Sequence, residues 1–380
     1  MSHDADQLLR TTLREPDPAV TLPPGLAAAA VRRGRRLRRR RRAAMVLGAV
    51  VAGATLVTPF LVLRPGPGHP VRPAGPDPAA SAVPTATDST APKSRPAPAQ
   101  WRSGPLTLPG GWTIVGATGT GEPVEPAIVL DRSRGRYVTV NGYDEVWAAP
   151  RGSFAAVFRY QRRAETGILD IGTGRVRWFR TGAHIMTPQW SPDGTRLLLT
   201  LDDKDNGTTA IGVLTAASGA VRRWPVDTQK YFCTDQCFFT WSRDGQQVVF
   251  QQTDPGGPLS ESVRPRRRGL QLFSSGTGLP TRLVPVHGDA AGPYAWSPDG
   301  SLVVVQGQQQ PELAETGTGR VRHQLPGADV YWGPDGRLLV LSREAGACSV
   351  GLMEPDGRLI ESQDLPAELC AGRTPLFAPR

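Results

Sequence analysis

Trp190-Ser191-Pro192-Asp193-Gly194 recurs unchanged as Trp296-Ser297-Pro298-Asp299-Gly300. Near copies are Trp241-Ser242-Arg243-Asp244-Gly245 and Trp332-Gly333-Pro334-Asp335-Gly336. Ser, Pro, Asp and Gly in that order suit the four positions of a type I turn: Ser accepts a hydrogen bond, Pro pre-sets φ, and Gly tolerates the last position. Each copy is followed by an apolar run, Leu197-Leu198-Leu199, Val248-Val249-Phe250, Val303-Val304-Val305 or Leu338-Leu339-Val340. An aromatic residue, a turn and a β-rich run predict a hairpin, with the Trp packed between neighbouring sheets.

Each unit then continues through a second strand, a Gly-rich turn and a basic or aromatic strand. Ile168 to Trp178 and Gly212 to Trp224 are two instances, and Glu315 to Arg322 and Glu354 to Ile360 are two more. Successive motif Trp residues lie 51, 55 and 36 positions apart. Four short strands in a period of about 40–50 residues mark a propeller blade. Over residues 101–380 the repeats resemble the WD40-like repeats of TolB-type β-propellers. They are also similar to the propellers that cap prolyl-oligopeptidase-type enzymes. The resemblance implies an all-β propeller and leaves its job open.

A degenerate copy lies upstream at Trp147-Ala148-Ala149-Pro150-Arg151-Gly152. At the other end, Thr374 to Arg380 resembles Thr187 to Asp193, so the chain stops where another blade would begin. Thr113-Ile114-Val115, Ala127 to Leu130 and Arg136 to Val140 supply the missing strands. One C-terminal strand and three N-terminal ones would close the ring and remove its open edge. The expected count is six blades, with seven as the alternative.

Ahead of the propeller the composition changes three times. Residues 1–42 form a polar arm with nine Arg in positions 32–42. Residues 43–63 are 21 uncharged, mostly apolar residues, long enough at about 1.5 Å each to cross a bilayer core. Residues 64–100 are rich in Pro and Ala and predict an extended, unstructured stalk. Arg on the N-terminal side of the span places the arm in the cytoplasm and the propeller outside the cell membrane. Of the formal charge of +10, residues 1–64 carry 12 basic against 4 acidic groups, and the repeat domain is nearly neutral. The excess therefore reads as topogenic and lipid-binding charge, which argues against a nucleic-acid partner.

In an oxidising compartment the four Cys predict disulfides. Cys233–Cys237 would close a small loop, and Cys348–Cys370 would staple the shared blade. The repeat turns (Trp190, Pro192, Asp193, Gly194; Trp241, Asp244, Gly245; Trp296, Pro298, Asp299, Gly300; Trp332, Pro334, Asp335, Gly336) read as structural. An insertion in the Trp241 repeat carries Arg264, Arg266, Arg267 and Arg268 and is a candidate surface for an anionic partner. No catalytic, cofactor or metal constellation is apparent, and Gly-x-Ser-x-Gly is absent. The expectation is a non-enzymatic, membrane-anchored module binding a protein or cell-envelope polymer. The alternative is a transmembrane regulator, because arm, single span and outer domain resemble membrane anti-sigma factors. The arm departs from the zinc-type members of that group, having His3 but no Cys. A hydrolase or lyase on a propeller scaffold is the third reading.

Overall fold

The structure is a computed structural model. It describes residues 92–380 except 121–123, 183, 204–207, 235–236, 258–263, 328 and 345–346. The arm, the apolar run at 43–63 and most of the stalk lie outside the described residues. No helix among the described residues is long and apolar enough to cross a membrane.

Six antiparallel sheets form six blades. From the axis outward, blade 1 consists of Arg373–Pro379, Trp112–Gly119, Ala127–Asp131 and Arg136–Val140. Blade 2 is Glu145–Ala148, Phe154–Phe158, Glu165–Asp170 and Val176–Arg180. Blade 3 is His184–Trp190, Arg196–Asp203, Thr208–Thr215 and Val221–Val226. Blade 4 is Thr240–Trp241, Gln247–Thr253, Arg267–Ser274 and Pro280–Val284. Blade 5 has Leu302–Gln306, Pro311–Glu315 and Val321–Gln324, with Trp296 bridging to Val303 on the inside. Blade 6 is Asp329–Trp332, Leu338–Glu344, Ala347–Met353 and Leu359–Asp364.

The ring closes as the sequence predicts, because the C-terminal strand pairs with Trp112–Gly119 from Arg373↔Gly119 to Pro379↔Trp112. A second tie is new. Lys93–Arg95, assigned above to the stalk, pairs in parallel with the outer strand of blade 6, and Arg95 meets Glu361 there. The stalk's last residues therefore belong to the propeller's sheet.

Each blade buries its apolar face against the next, giving a separate core at every blade junction. The motif Trp residues fill these junctions, all at 6% exposure or less. Trp190 Nε1 donates to the Trp147 carbonyl at 2.8 Å, and Trp241 Nε1 to the Gln189 carbonyl at 3.0 Å. Each indole thus reaches back to the preceding blade.

The turns form as the motif dictates. Gly194 N–H donates to the Ser191 carbonyl at 2.9 Å, and Ser191 Oγ accepts from Arg196 N–H at 3.0 Å. Blade 2 needs a correction of register. Trp190, Trp241 and Trp296 pair with the residue seven positions on, and in blade 2 Ala148, not Trp147, does so. Ala148-Ala149-Pro150-Arg151-Gly152 is therefore the true copy, with Arg151 in place of Asp.

The outer Gly turns serve two purposes. Gly219 has φ +77, and a Cβ there would lie 2.0 Å from Phe179 of blade 2. Gly278, at φ +69, has the same relation to Trp224 of blade 3. Only glycine permits both the left-handed backbone and this approach.

Candidate functional site

Every repeat turn follows an innermost strand, so all of them gather at one end of the ring around its axis. Four keep the Asp, and each carboxylate works inside its own turn. Asp193 Oδ1 accepts from Ser191 Oγ at 2.5 Å and from Thr195 N–H at 3.0 Å. Asp299 accepts from Ser297 Oγ at 2.6 Å and from Ser301 N–H at 3.1 Å. The Ser297 and Ser301 bonds pull the Asp299 carboxyl down to about 2. Burial pushes Asp193 up, but its hydrogen bonds outweigh this and hold it below the usual range. Asp244 and Asp335 accept from the N–H two residues on, at 2.9 and 3.1 Å.

Two arginines break the pattern. Arg151 stands where the other turns have Asp, and Arg243 stands where they have Pro. One Arg243 nitrogen, Nη1, donates to the Trp332 carbonyl at 2.7 Å and the Trp296 carbonyl at 3.2 Å. A side chain of blade 4 thus reaches blades 5 and 6. Its guanidinium lies 5.6 Å from the ring centre of Tyr294. Arg151 acts on the same Tyr294 electrostatically. Burial pushes that phenol up to about 12, with Arg243 and then Arg151 opposing, so it is a neutral O–H at physiological pH. Tyr294 also meets Trp112 edge-on at 5.3 Å.

Gln189 braces the same axis. Its Oε1 accepts from Trp241 N–H at 2.7 Å and its Nε2 donates to the Ala291 carbonyl at 2.9 Å. Blades 3 and 4 and the segment entering blade 5 are joined through one amide. Elsewhere near the axis, burial pushes Asp329 up, with Arg343 opposing, and pushes Tyr331 well up.

The four arginines of the predicted anionic-partner loop do not form one surface. Arg266 and Arg268 are exposed, whereas Arg267 is buried. Arg267 Nε meets Asp289 Oδ1 at 2.5 Å and Nη2 meets Oδ2 at 3.2 Å. Its Nη1 donates to the Thr234 carbonyl and Thr253 Oγ1, each at 2.8 Å. Arg264 adds a longer contact to Asp289 at 3.5 Å. Arg267 therefore holds the Cys233–Cys237 loop to blades 4 and 5 and is not available to a partner.

Both predicted disulfides form, Cys233–Cys237 and Cys348–Cys370. Among the described residues no group of three or more His, Cys, Asp or Glu is placed to hold a metal. Sequence reasoning passed over Arg151, Arg243, Gln189 and Tyr294. The two arginines carried a readable signal, as departures from a repeat whose other copies agree. Gln189 and Tyr294 occupy positions with no repeat pattern to depart from.

No family model matches the chain, and no curated protein matches it. Among solved structures it is similar to TolB from Acinetobacter baumannii, at 18% identity over 67% of each chain with a TM-score of 0.43. It is also similar to the β-propeller domain of the Trilobed protease from Pyrococcus furiosus, at 14% identity over 68% of this chain and 83% of that one, TM-score 0.43. A third is an acylaminoacyl peptidase from Pyrococcus horikoshii, at 14% identity and TM-score 0.43, over 66% of this chain but 44% of the peptidase. Likeness at this level assigns neither activity nor ligand.

Proposed function

We propose that this chain is a membrane-anchored binding module that holds a protein or cell-envelope polymer outside the membrane without converting it. The observation that carries the reading is Arg243 held against Tyr294 at the turn end of the ring, with Arg151 of the blade 2 turn acting on the same phenol electrostatically. Both replace residues that the turn itself prefers, so turn formation does not account for them. The Arg-flanked apolar run at 43–63 supports the anchor, and the proline-rich segment after it supports a spacer. The regulator reading keeps one supporting feature in the sequence of the arm, the spacing of Leu8, Leu9 and Leu13, which would put them on one side if the stretch were helical.

The test is affinity capture from membranes with the full-length chain and with a chain lacking residues 1–42. The expected result is the same extracytoplasmic partners with both. Loss of a cytoplasmic protein together with the arm would make the propeller a sensor instead. Turnover of a captured ligand would overturn the non-enzymatic part of the reading.

A further inference from the structure

We propose that the turn end of the ring carries a site for a small oxoanion, a phosphate or carboxylate group, built by Arg151 and Arg243 around Tyr294. This deepens the binding-module reading and rests on it.

The first observation is unspent positive charge. The Arg151 guanidinium has no hydrogen bond or ion pair among the described residues. Arg243 uses only Nη1, so its Nε and Nη2 remain free donors. The two carbonyls that hold Nη1 also fix the guanidinium in place, which lowers the entropy lost when an anion binds. Arginine offers the planar fork that matches carboxylate and phosphate oxygens. The four turn carboxylates keep their charge but make no ion pair with Arg151 or Arg243, because Asp193, Asp244, Asp299 and Asp335 accept bonds within their own turns.

The second observation is a set of donors without acceptors. Trp190 and Trp241 have paired indole N–H groups, but those of Trp112, Trp296 and Trp332 are buried with no partner. A buried donor left unpaired costs about 1–3 kcal/mol. All three of these tryptophans touch the same cluster. Trp296 and Trp332 hold Arg243 through their carbonyls, and Trp112 stands edge-on to Tyr294. The Tyr294 hydroxyl also makes no hydrogen bond among the described residues. Cationic forks beside a spare phenol O–H suit an oxygen-rich anion.

The experiment is calorimetric titration of the full-length chain in detergent micelles with inorganic phosphate, phenyl phosphate and acetate, at ionic strength held constant with NaCl. Saturable binding of at least one probe is expected, and the order of affinities separates free phosphate, an organic phosphomonoester and a carboxylate as the source. Arg151→Gln should weaken that binding by about tenfold or more without changing the melting temperature. Arg243→Gln should weaken it equally and also lower the melting temperature, because its carbonyl contacts are lost. Arg266→Gln, at an exposed arginine of the blade 4 insertion, should leave it unchanged. Absence of saturable binding to all three probes, or unaltered affinity in Arg151→Gln, overturns the proposal. Such a failure leaves the capture of a partner from membranes intact, and so is distinct from failure of the binding-module reading.

Discussion

Arg267 is buried with its guanidinium against Asp289 and two further oxygens, those of Thr234 and Thr253. Removing a charge from water is costly, and the pair persists because nearly every donor is satisfied. Removing Asp289 leaves Arg267 buried without a counter-charge, and removing Arg267 leaves Asp289 only the longer contact to Arg264. Arg267→Met or Asp289→Leu singly should therefore destabilise the propeller by about 3–5 kcal/mol. The double variant should recover much of that loss, since both charges are then gone. Chemical denaturation of the four proteins checks this, and equal losses in single and double variants would show that the pair is not coupled. Nothing in the local sequence marks Arg267 off from Arg266 and Arg268. Alternation along a strand sends neighbours to opposite faces, so only its pairing partners reveal which Arg is buried.

The outer strands face solvent with their edges partly open. They carry Arg177, Arg180, Arg222, Arg223, Arg282 and Arg322, and charge along an edge discourages pairing with another chain. Between elements, the Cys348–Cys370 bond links the third strand of blade 6 to the segment just before the closing strand. It spans 22 residues, against 4 for Cys233–Cys237. By loop-closure entropy these correspond to about 3 and about 2 kcal/mol. Paired Cys348→Ser and Cys370→Ser substitutions should thus cost more stability than Cys233→Ser with Cys237→Ser. Denaturant midpoints under oxidising conditions measure the order, and the reverse order would mean that the small loop, not the closure, limits stability.

At the scale of the whole ring, the C-terminal strand and a segment ahead of blade 1 each add a strand to a sheet they do not begin. The C-terminal strand pairs over seven residues at the innermost position, with Phe377 and Ala378 buried. Lys93–Arg95 pairs over three exposed residues at an outer edge. Deleting residues 373–380 should therefore abolish cooperative unfolding and expose the edge of Trp112–Gly119 to aggregation. Replacing residues 93–95 with Gly should shift the melting temperature only slightly. Calorimetry with light scattering compares them, and equal damage from both would make the outer tie as important as the inner closure.

Repetition is what made the architecture legible in the chain alone. Each Trp, turn and apolar strand occurs several times, and each copy independently specifies the same hairpin through short-range geometry. The six-blade count and the closure by one strand against three followed from that regularity, whereas both disulfides followed from four cysteines expected in an oxidising compartment. The slip of one residue at Trp147 shows where regularity thins, because Ala148 replaces the aromatic that would set the register. The candidate site was only half legible. Arg151 and Arg243 were readable as departures from a repeat although the sequence reading passed over them, and the approach of Arg243 to Tyr294, the bracing by Gln189 and the burial of Arg267 join residues 22 to 102 positions apart. Such contacts depend on how the blades close around one axis, and no local pattern of residues encodes that long-range geometry.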